Sequence, residues 1–211
     1  MNVSHSKENI LKKIRQALTN STPLPFPQSE GNSTVFKPSQ QELEIEFAER
    51  FKILQGRFVF CLNHTELIEQ LNSLVAHNRW EKLFCRDAAL QKKLSENNFN
   101  NFSDNDLPGC DAAFTTCEWL VARTGSIVMT AAGASGRTVS VYAPVHICIA
   151  YRSQLVYDIK DVLLQAKEKY AGNLPSLITF ATGPSRTADI EKTLVVGVHG
   201  PKEVYVFLVD D

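Results

Sequence analysis

The sequence predicts an α/β domain on a mixed, mainly parallel sheet with flanking helices. Three observations carry that expectation. Between residues 57 and 97, short apolar runs alternate with helical periods of about ten residues, the pattern of βαβ units. Beyond residue 110 come runs rich in β-branched and aromatic residues. The gaps between several of them are too short for helical crossovers, so part of the sheet is expected to be antiparallel or mixed. Finally, the chain has 211 residues, 44% hydrophobic and 21% charged, a globular composition with enough length for one sizeable core.

The elements follow in order. Residues 6–18 read as an amphipathic helix with Ser6 as N-cap and Ile10, Leu11, Ile14, Ala17 and Leu18 on one face. The stretch after it holds Pro23, Pro25, Pro27 and Pro38 and cannot sustain a helix, so residues 1–38 are expected to be a helix and a Pro-rich linker. This leaves the first helix to pack at a distance on the body, or on a neighbouring subunit in a homo-oligomer. A membrane-surface helix is disfavoured because the segment has no aromatic anchor. Residues 39–211 form the main domain. Ser39 and Glu42 have capping-box spacing, Leu43, Phe47, Phe51 and Leu54 form a helical stripe, and Gly56 ends it. Strands are expected at 57–62 and 82–86, and helices at 65–77 and 88–97. A polar loop at 97–109 leads to strands at 111–116, 126–131, 139–144 and 146–151, with "CEWLVAR" between the first two read as a short helix. A helix at 157–171 and a strand at 176–182 follow. Residues 185–193 are a loop or short helix, 194–198 an apolar run, and 203–211 the closing strand.

Composition excludes several functions. Net charge is −1 with scattered Lys and Arg, which offers no footprint for nucleic acid or an anionic membrane. No apolar run approaches the roughly 20 residues of a membrane span. The first twenty residues lack the uninterrupted apolar region of an export signal, so a cytoplasmic setting is expected. The five cysteines match no zinc or iron–sulfur spacing, and three of them sit in apolar runs as small hydrophobes. The histidines show no metal-ligand pairing.

Two stretches, and Glu118 shortly before the first, carry candidate chemistry. In residues 123–144, Gly133 and Gly136 can turn backbone N–H groups inward as an anion nest, and Arg137 can grip a carboxylate or phosphate with two parallel bonds. The same residues suit a hairpin turn with a solvated Arg. Thr124, Gly125 and Ser126 open the segment shortly after Glu118, a candidate acid, base or acyl acceptor that equally suits the polar side of a short helix. In residues 182–201, Ser185 can cap a helix. Asp189 and Glu191 then lie near its start, where open α/β sheets bind anions, and Arg186 and Thr187 are candidate ligand contacts. His199 and Gly200 follow; His199 is a second catalytic candidate as an oxyanion donor, or an ordinary turn residue.

Taken in order, "TGSIVMTAAGASGRTVSVYAPVHICI" and "TGPSRTADIEKTLVVGVHGPKEVYVFLVDD" resemble the lactate-utilisation protein C family, built on the LUD domain, most closely over residues 111–211. The resemblance implies a fold similar to the NagB/RpiA/CoA-transferase group and a role in oxidising lactate to pyruvate beside iron–sulfur partner subunits. The chain has no cysteine ligands for such a cluster and no dinucleotide fingerprint, so no cofactor is expected in it, and the resemblance brings no catalytic mechanism for it. A non-redox subunit with an anion pocket is one reading. A transferase or ligase acting on a phosphorylated or CoA-linked acid is the other.

Overall fold

The computed structural model describes residues 5–19, 38–39, 41–103, 106–188 and 194–210. The chain divides into two units, 1–38 and 39–211. The first holds helix α1 (His5–Leu18), on which Ile10, Leu11 and Ile14 are exposed. The proposed N-cap Ser6 therefore lies within the helix. The remainder of the Pro-rich stretch falls outside the described residues.

In the second unit the elements run α2 (Leu43–Ile53), β1 (Arg57–Cys61), α3 (His64–Asn78), β2 (Leu83–Cys85), α4 (Ala88–Ser95) and β3 (Ala112–Thr116). Then come β4 (Trp119–Val121), β5 (Ser126–Thr130), α5 (Val139–Tyr142), β6 (Val145–Tyr151) and β7 (Leu155–Val156). The last are α6 (Ile159–Lys169), β8 (Ile178–Ala181), β9 (Arg186–Ala188), β10 (Leu194–Val196) and β11 (Glu203–Val209). A five-stranded sheet, ordered β1-β11-β6-β3-β2, is parallel throughout. A four-stranded sheet, β7-β4-β5-β8, is antiparallel at β4–β5 and β5–β8 and parallel at β4–β7. Strands β9 and β10 form a separate antiparallel pair.

Local chemistry starts the helices. Asn63 accepts the Glu66 amide at 3.0 Å to cap α3. Asp87 accepts the amides of Ala89 and Leu90 to cap α4, and Asp158 accepts that of Lys160 to cap α6. Asp158 also pairs with Arg123 at 2.6 Å, and that hydrogen bond holds its carboxyl below the usual carboxylate range.

Alternation along the central strands divides the core. Ile147, Ile149, Tyr205, Phe207 and Val209 face Leu67, Leu71, Leu90 and Leu94 of α3 and α4. Their neighbours Cys148, Ala150, Val204, Val206 and Leu208 pack with Phe47 and Phe51 of α2 and with Leu120, Ile127 and Met129 of the smaller sheet. The outer face of that sheet packs Trp119, Val121 and Val128 against Val162 and Ala166 of α6. Parallel strands covered on both faces are expected to read as continuous apolar runs, and β6 and β11 do.

Four local expectations are corrected. The run at 139–144 is not a strand. Its buried residues Val139 and Ala143 are four apart and enter one small cluster beside β3, so a single helical turn serves them better than alternation. "CEWLVAR" contains strand β4 rather than a helix, because Trp119, Leu120 and Val121 are buried on both faces of a sheet. Residues 186–188 form a strand, so Ser185 caps no helix there. The Ser39–Glu42 box does not form either: Glu42 is the extended N-cap residue of α2 without a side-chain bond, and the Ser39 hydroxyl accepts the Gln41 amide instead.

His146 is buried in the middle of the parallel sheet, its Nε2 2.7 Å from Thr115 Oγ1, and burial lowers its pKa to about 4. The unfolded chain takes up the proton first, near its ordinary value of 6.5. The stability this site contributes is therefore complete above about pH 6.5 and lost as pH falls toward 4, a change on the order of 3 kcal/mol. Urea titrations across that range should show a shallower acid limb in His146→Gln than in wild type. Parallel limbs would remove His146 as the cause.

Candidate functional site

Strands β2 and β3 are parallel neighbours, so their carboxyl ends lie side by side. Arg86 and Asp87 follow one; Cys117 and Glu118 follow the other. That edge is where open α/β sheets hold ligands. Asp87 is buried, and its second carboxylate oxygen accepts the Thr116 hydroxyl at 3.1 Å, which ties the two strand ends together.

The loop from β5 to α5 covers this edge and brings in Gly133 and Gly136. A cavity of about 30 Å³ lies among Thr116, Glu118, Thr130, Gly133, Ser135 and Gly136. The Glu118 carboxylate is mostly buried and is held by the hydroxyls of Tyr170, at 3.2 Å, and Thr130, at 3.5 Å, and by the ammonium of Lys169. The same bond to Glu118 raises the pKa of Lys169. A Cβ on Gly133 would stand 4.0 Å from Glu118 Oε1. Ser135 is only 8% exposed, and its buried hydroxyl has no hydrogen-bond partner among the described residues. Beyond Gly136 opens a cleft of about 670 Å³ lined by Arg86, Gln91, Ser103, Thr138 and Tyr142. Arg86 is exposed, donates to Thr138 Oγ1 at 3.3 Å and makes no ion pair among the described residues.

Other site residues expected from the sequence lie elsewhere. Arg137 donates to the Ser176 hydroxyl. Thr124, Ser126 and Thr182 form a chain of hydroxyls at 2.8 Å steps. Next to them Gly125 sits against the last turn of α2: its φ is +61°, and a Cβ would lie 2.8 Å from the Phe51 amide nitrogen. Arg186 donates to the Leu54 carbonyl at the carboxyl end of that helix. These residues thus surround a helix terminus. Ser185 and Gly200 pack together through the loop before β11, where the Ser185 amide donates to the Pro201 carbonyl at 2.9 Å. His199 lines a cavity of about 520 Å³ with Tyr142, Pro144 and Lys202, which adjoins the Arg86 cleft at Pro108 and Tyr142. Pro144 and Lys202 precede β6 and β11, so this cavity is at the amino edge of the parallel sheet, whereas Glu118 is at the carboxyl edge. The length of β3, about 16 Å at a strand rise of ~3.3 Å per residue, separates the two edges. Glu118, Gly133 and Gly136 come together; Arg137, Arg186 and His199 share no common partner. Thr187 contributes its backbone to the β9–β10 pair, and Asp189 and Glu191 lie outside the described residues.

Arg86, Asp87, Thr116, Ser135, Lys169 and Tyr170 were not singled out in the sequence. Position offered a signal for the first three, since each ends or follows a predicted strand. Ser135, within the glycine loop, was visible only as a loop hydroxyl.

The five cysteines are all buried and unpaired. Burial pushes the thiols of Cys61 and Cys85 up to about 11 and about 12, which suits packing rather than nucleophilic chemistry. Among the described residues, no group of three or more His, Cys, Asp or Glu could hold a metal, and no helix is long and apolar enough to cross a membrane.

Residues 45–209 match the LUD domain family. The chain belongs to that family. It is similar to lactate utilization protein C 1 of Bacillus mycoides, 28% identical over 191 residues that cover 82% of this chain and 81% of the relative. It is also similar to lactate utilization protein C of Halalkalibacterium halodurans, 38% identical over 103 residues, 48% of this chain and 45% of that one. Among solved structures, a DUF162 family protein from Deinococcus radiodurans superimposes with a TM-score of 0.59 at 18% identity, covering 82% of this chain and 99% of that one. At that identity the likeness concerns the fold alone. It agrees with a mixed α/β LUD domain on a mainly parallel central sheet.

Two substitutions separate scaffold from site in this LUD domain. Gly125→Ala should cost about 2–4 kcal/mol, because a Cβ meets backbone atoms at a positive φ. Arg186→Ala should cost about 1 kcal/mol or less, the loss of an exposed cation from a helix carboxyl end. Urea unfolding checks both. Wild-type stability in Arg186→Ala would release that side chain from a structural role.

Proposed function

We propose that this protein is a component of an L-lactate utilisation system, in which it binds a small anionic ligand and performs no redox chemistry itself. The observation that carries the reading is the relationship, over four-fifths of both chains, to a protein named lactate utilization protein C 1. Iron–sulfur partner subunits carry the electrons from lactate to their acceptor, and this chain binds and orients. The carboxyl edge of the parallel sheet supports such a role. It gathers an exposed guanidinium, a carboxylate and a hydroxyl around a glycine loop, a set of groups fitted to recognition.

A strain lacking the gene should grow slowly on L-lactate and normally on glucose, and the wild-type gene should restore it. Affinity capture from lactate-grown cells should bring down cluster-bearing proteins. Normal growth on lactate, in a strain with no duplicate gene, overturns the proposal.

One observation favours a second reading. Glu118 is a carboxylate beside a cavity with an unpartnered hydroxyl, the setting of an acid, base or acyl acceptor in a transferase acting on a phosphorylated or CoA-linked acid. Purified protein incubated with acyl-CoA and sugar-phosphate panels checks it. The reading requires turnover that Glu118→Gln abolishes.

A further inference from the structure

The geometry points to a single two-part site in which Arg86 holds the charged group of a small anion while Ser135 and Glu118 hold a hydroxyl of the same molecule. The inference rests on the reading of the carboxyl edge as a ligand site, and it names the chemical class that fits.

The niche comes first. Its volume, about 30 Å³, admits one group the size of a water molecule. Ser135 is more than nine-tenths buried and lacks a partner among the described residues, and a buried hydroxyl left unpaired is costly. Glu118 opposite it accepts from Tyr170, Thr130 and Lys169, and its two oxygens retain lone pairs. A ligand hydroxyl accepts from Ser135 and donates to Glu118, which satisfies both. A methyl group of similar size leaves Ser135 unpaired. An anionic group is repelled by Glu118, and a second cation finds that carboxylate already neutralised by Lys169.

The charge therefore belongs outside the niche, and the structure places a cation there. A Cβ on Gly136 would stand 3.4 Å from Arg86 Nη1, while Gly136 also lines the niche. One residue without a side chain thus separates the guanidinium from the hydroxyl pocket. Arg86 opens onto the larger cleft and has no carboxylate partner among the described residues. Arg137, the cation the sequence suggested for this loop, donates to Ser176 and lines neither the niche nor the larger cleft. The ligand class is a compact hydroxylated carboxylate or phosphate whose hydroxyl lies within a few bonds of its charge.

Calorimetry on the full chain with four probes tests this: glycerate against propionate, and glycerol 3-phosphate against propyl phosphate. In at least one pair the hydroxylated member should bind about tenfold or more tighter than its deoxy partner. The pair that shows the preference identifies the anion. Ser135→Ala should bring that ratio close to one and keep the affinity for the deoxy probe. Arg86→Gln should weaken both members of the pair. Without probe, Ser135→Ala should melt at or above the wild-type temperature, because it removes an unpaired buried hydroxyl.

Equal affinities within both pairs, no binding of any probe, or a ratio that survives Ser135→Ala overturns the inference. So does a Ser135→Ala protein less stable than wild type, whose hydroxyl would already serve the fold or a trapped water. Intact hydroxyl preference in a protein dispensable for growth on lactate removes the pathway proposal and leaves this site. Lost growth with no probe binding does the reverse.

Discussion

The structure depends on β11, the last strand in the chain, lying between β1 and β6. Its register runs from Glu203 opposite Val145 to Val209 opposite Tyr151, and its alternate residues enter two different cores. A slip of one residue would exchange Tyr205, Phe207 and Val209 with Val204, Val206 and Leu208, placing aromatic rings where α2 and the smaller sheet leave room only for smaller side chains. The pairing is parallel and distant in sequence, so burial on both faces has to offset a large loop-closure cost. The positions of β6 and β3, and hence the edge that carries Glu118, follow from it.

This constraint explains what could be read from the sequence. Strands β2, β3, β6 and β11 are short apolar runs covered on both faces, and that covering produces their composition without reference to partners; β1, at the sheet edge, is only partly covered. Helices α3, α4 and α6 announce themselves through side-chain caps at Asn63, Asp87 and Asp158. The errors arose where tertiary packing chose between two local patterns. "VSVYAP" alternates like a strand, yet only Val139 and Ala143 find a core, at helical spacing. "CEWLVAR" is polar at both ends like a surface turn, yet β5 and β7 flank its three central residues. Periodicity in a run this short cannot decide what its neighbours will be.

The candidate site was legible in part and for a similar reason. The glycine loop and Glu118 were marked by residue type, and the fold brings them together. Arg137, Arg186 and His199 were marked by the same kind of chemistry, and they go to Ser176, to the end of α2 and to the opposite edge of the sheet. Sequence shows that a polar side chain exists. It does not show whether folding will use it. Gly125 makes the point for backbone: it resembles a residue of an anion loop, but the positive φ and the close approach to Phe51 serve helix packing.

A functional site in a fold of this kind is thus best sought by asking which hydrogen-bonding capacity remains after the fold has formed. Arg186 donates to a helix carbonyl away from the carboxyl edge, and Asp87 spends its acceptors on a helix amino end and the Thr116 hydroxyl. Thr124, Ser126 and Thr182 satisfy one another. Ser135 is the exception among the described residues: its buried hydroxyl has no partner, and it borders a small cavity. A chain that gives one buried hydroxyl no partner among the described residues, while satisfying those around it, leaves a bond for another molecule to make. A guest that makes it gains affinity, and one that cannot leaves the hydroxyl unpaired. The same defect in packing therefore supplies both affinity and selectivity, and it does so beside the exposed guanidinium of Arg86, where adjacent parallel strands end.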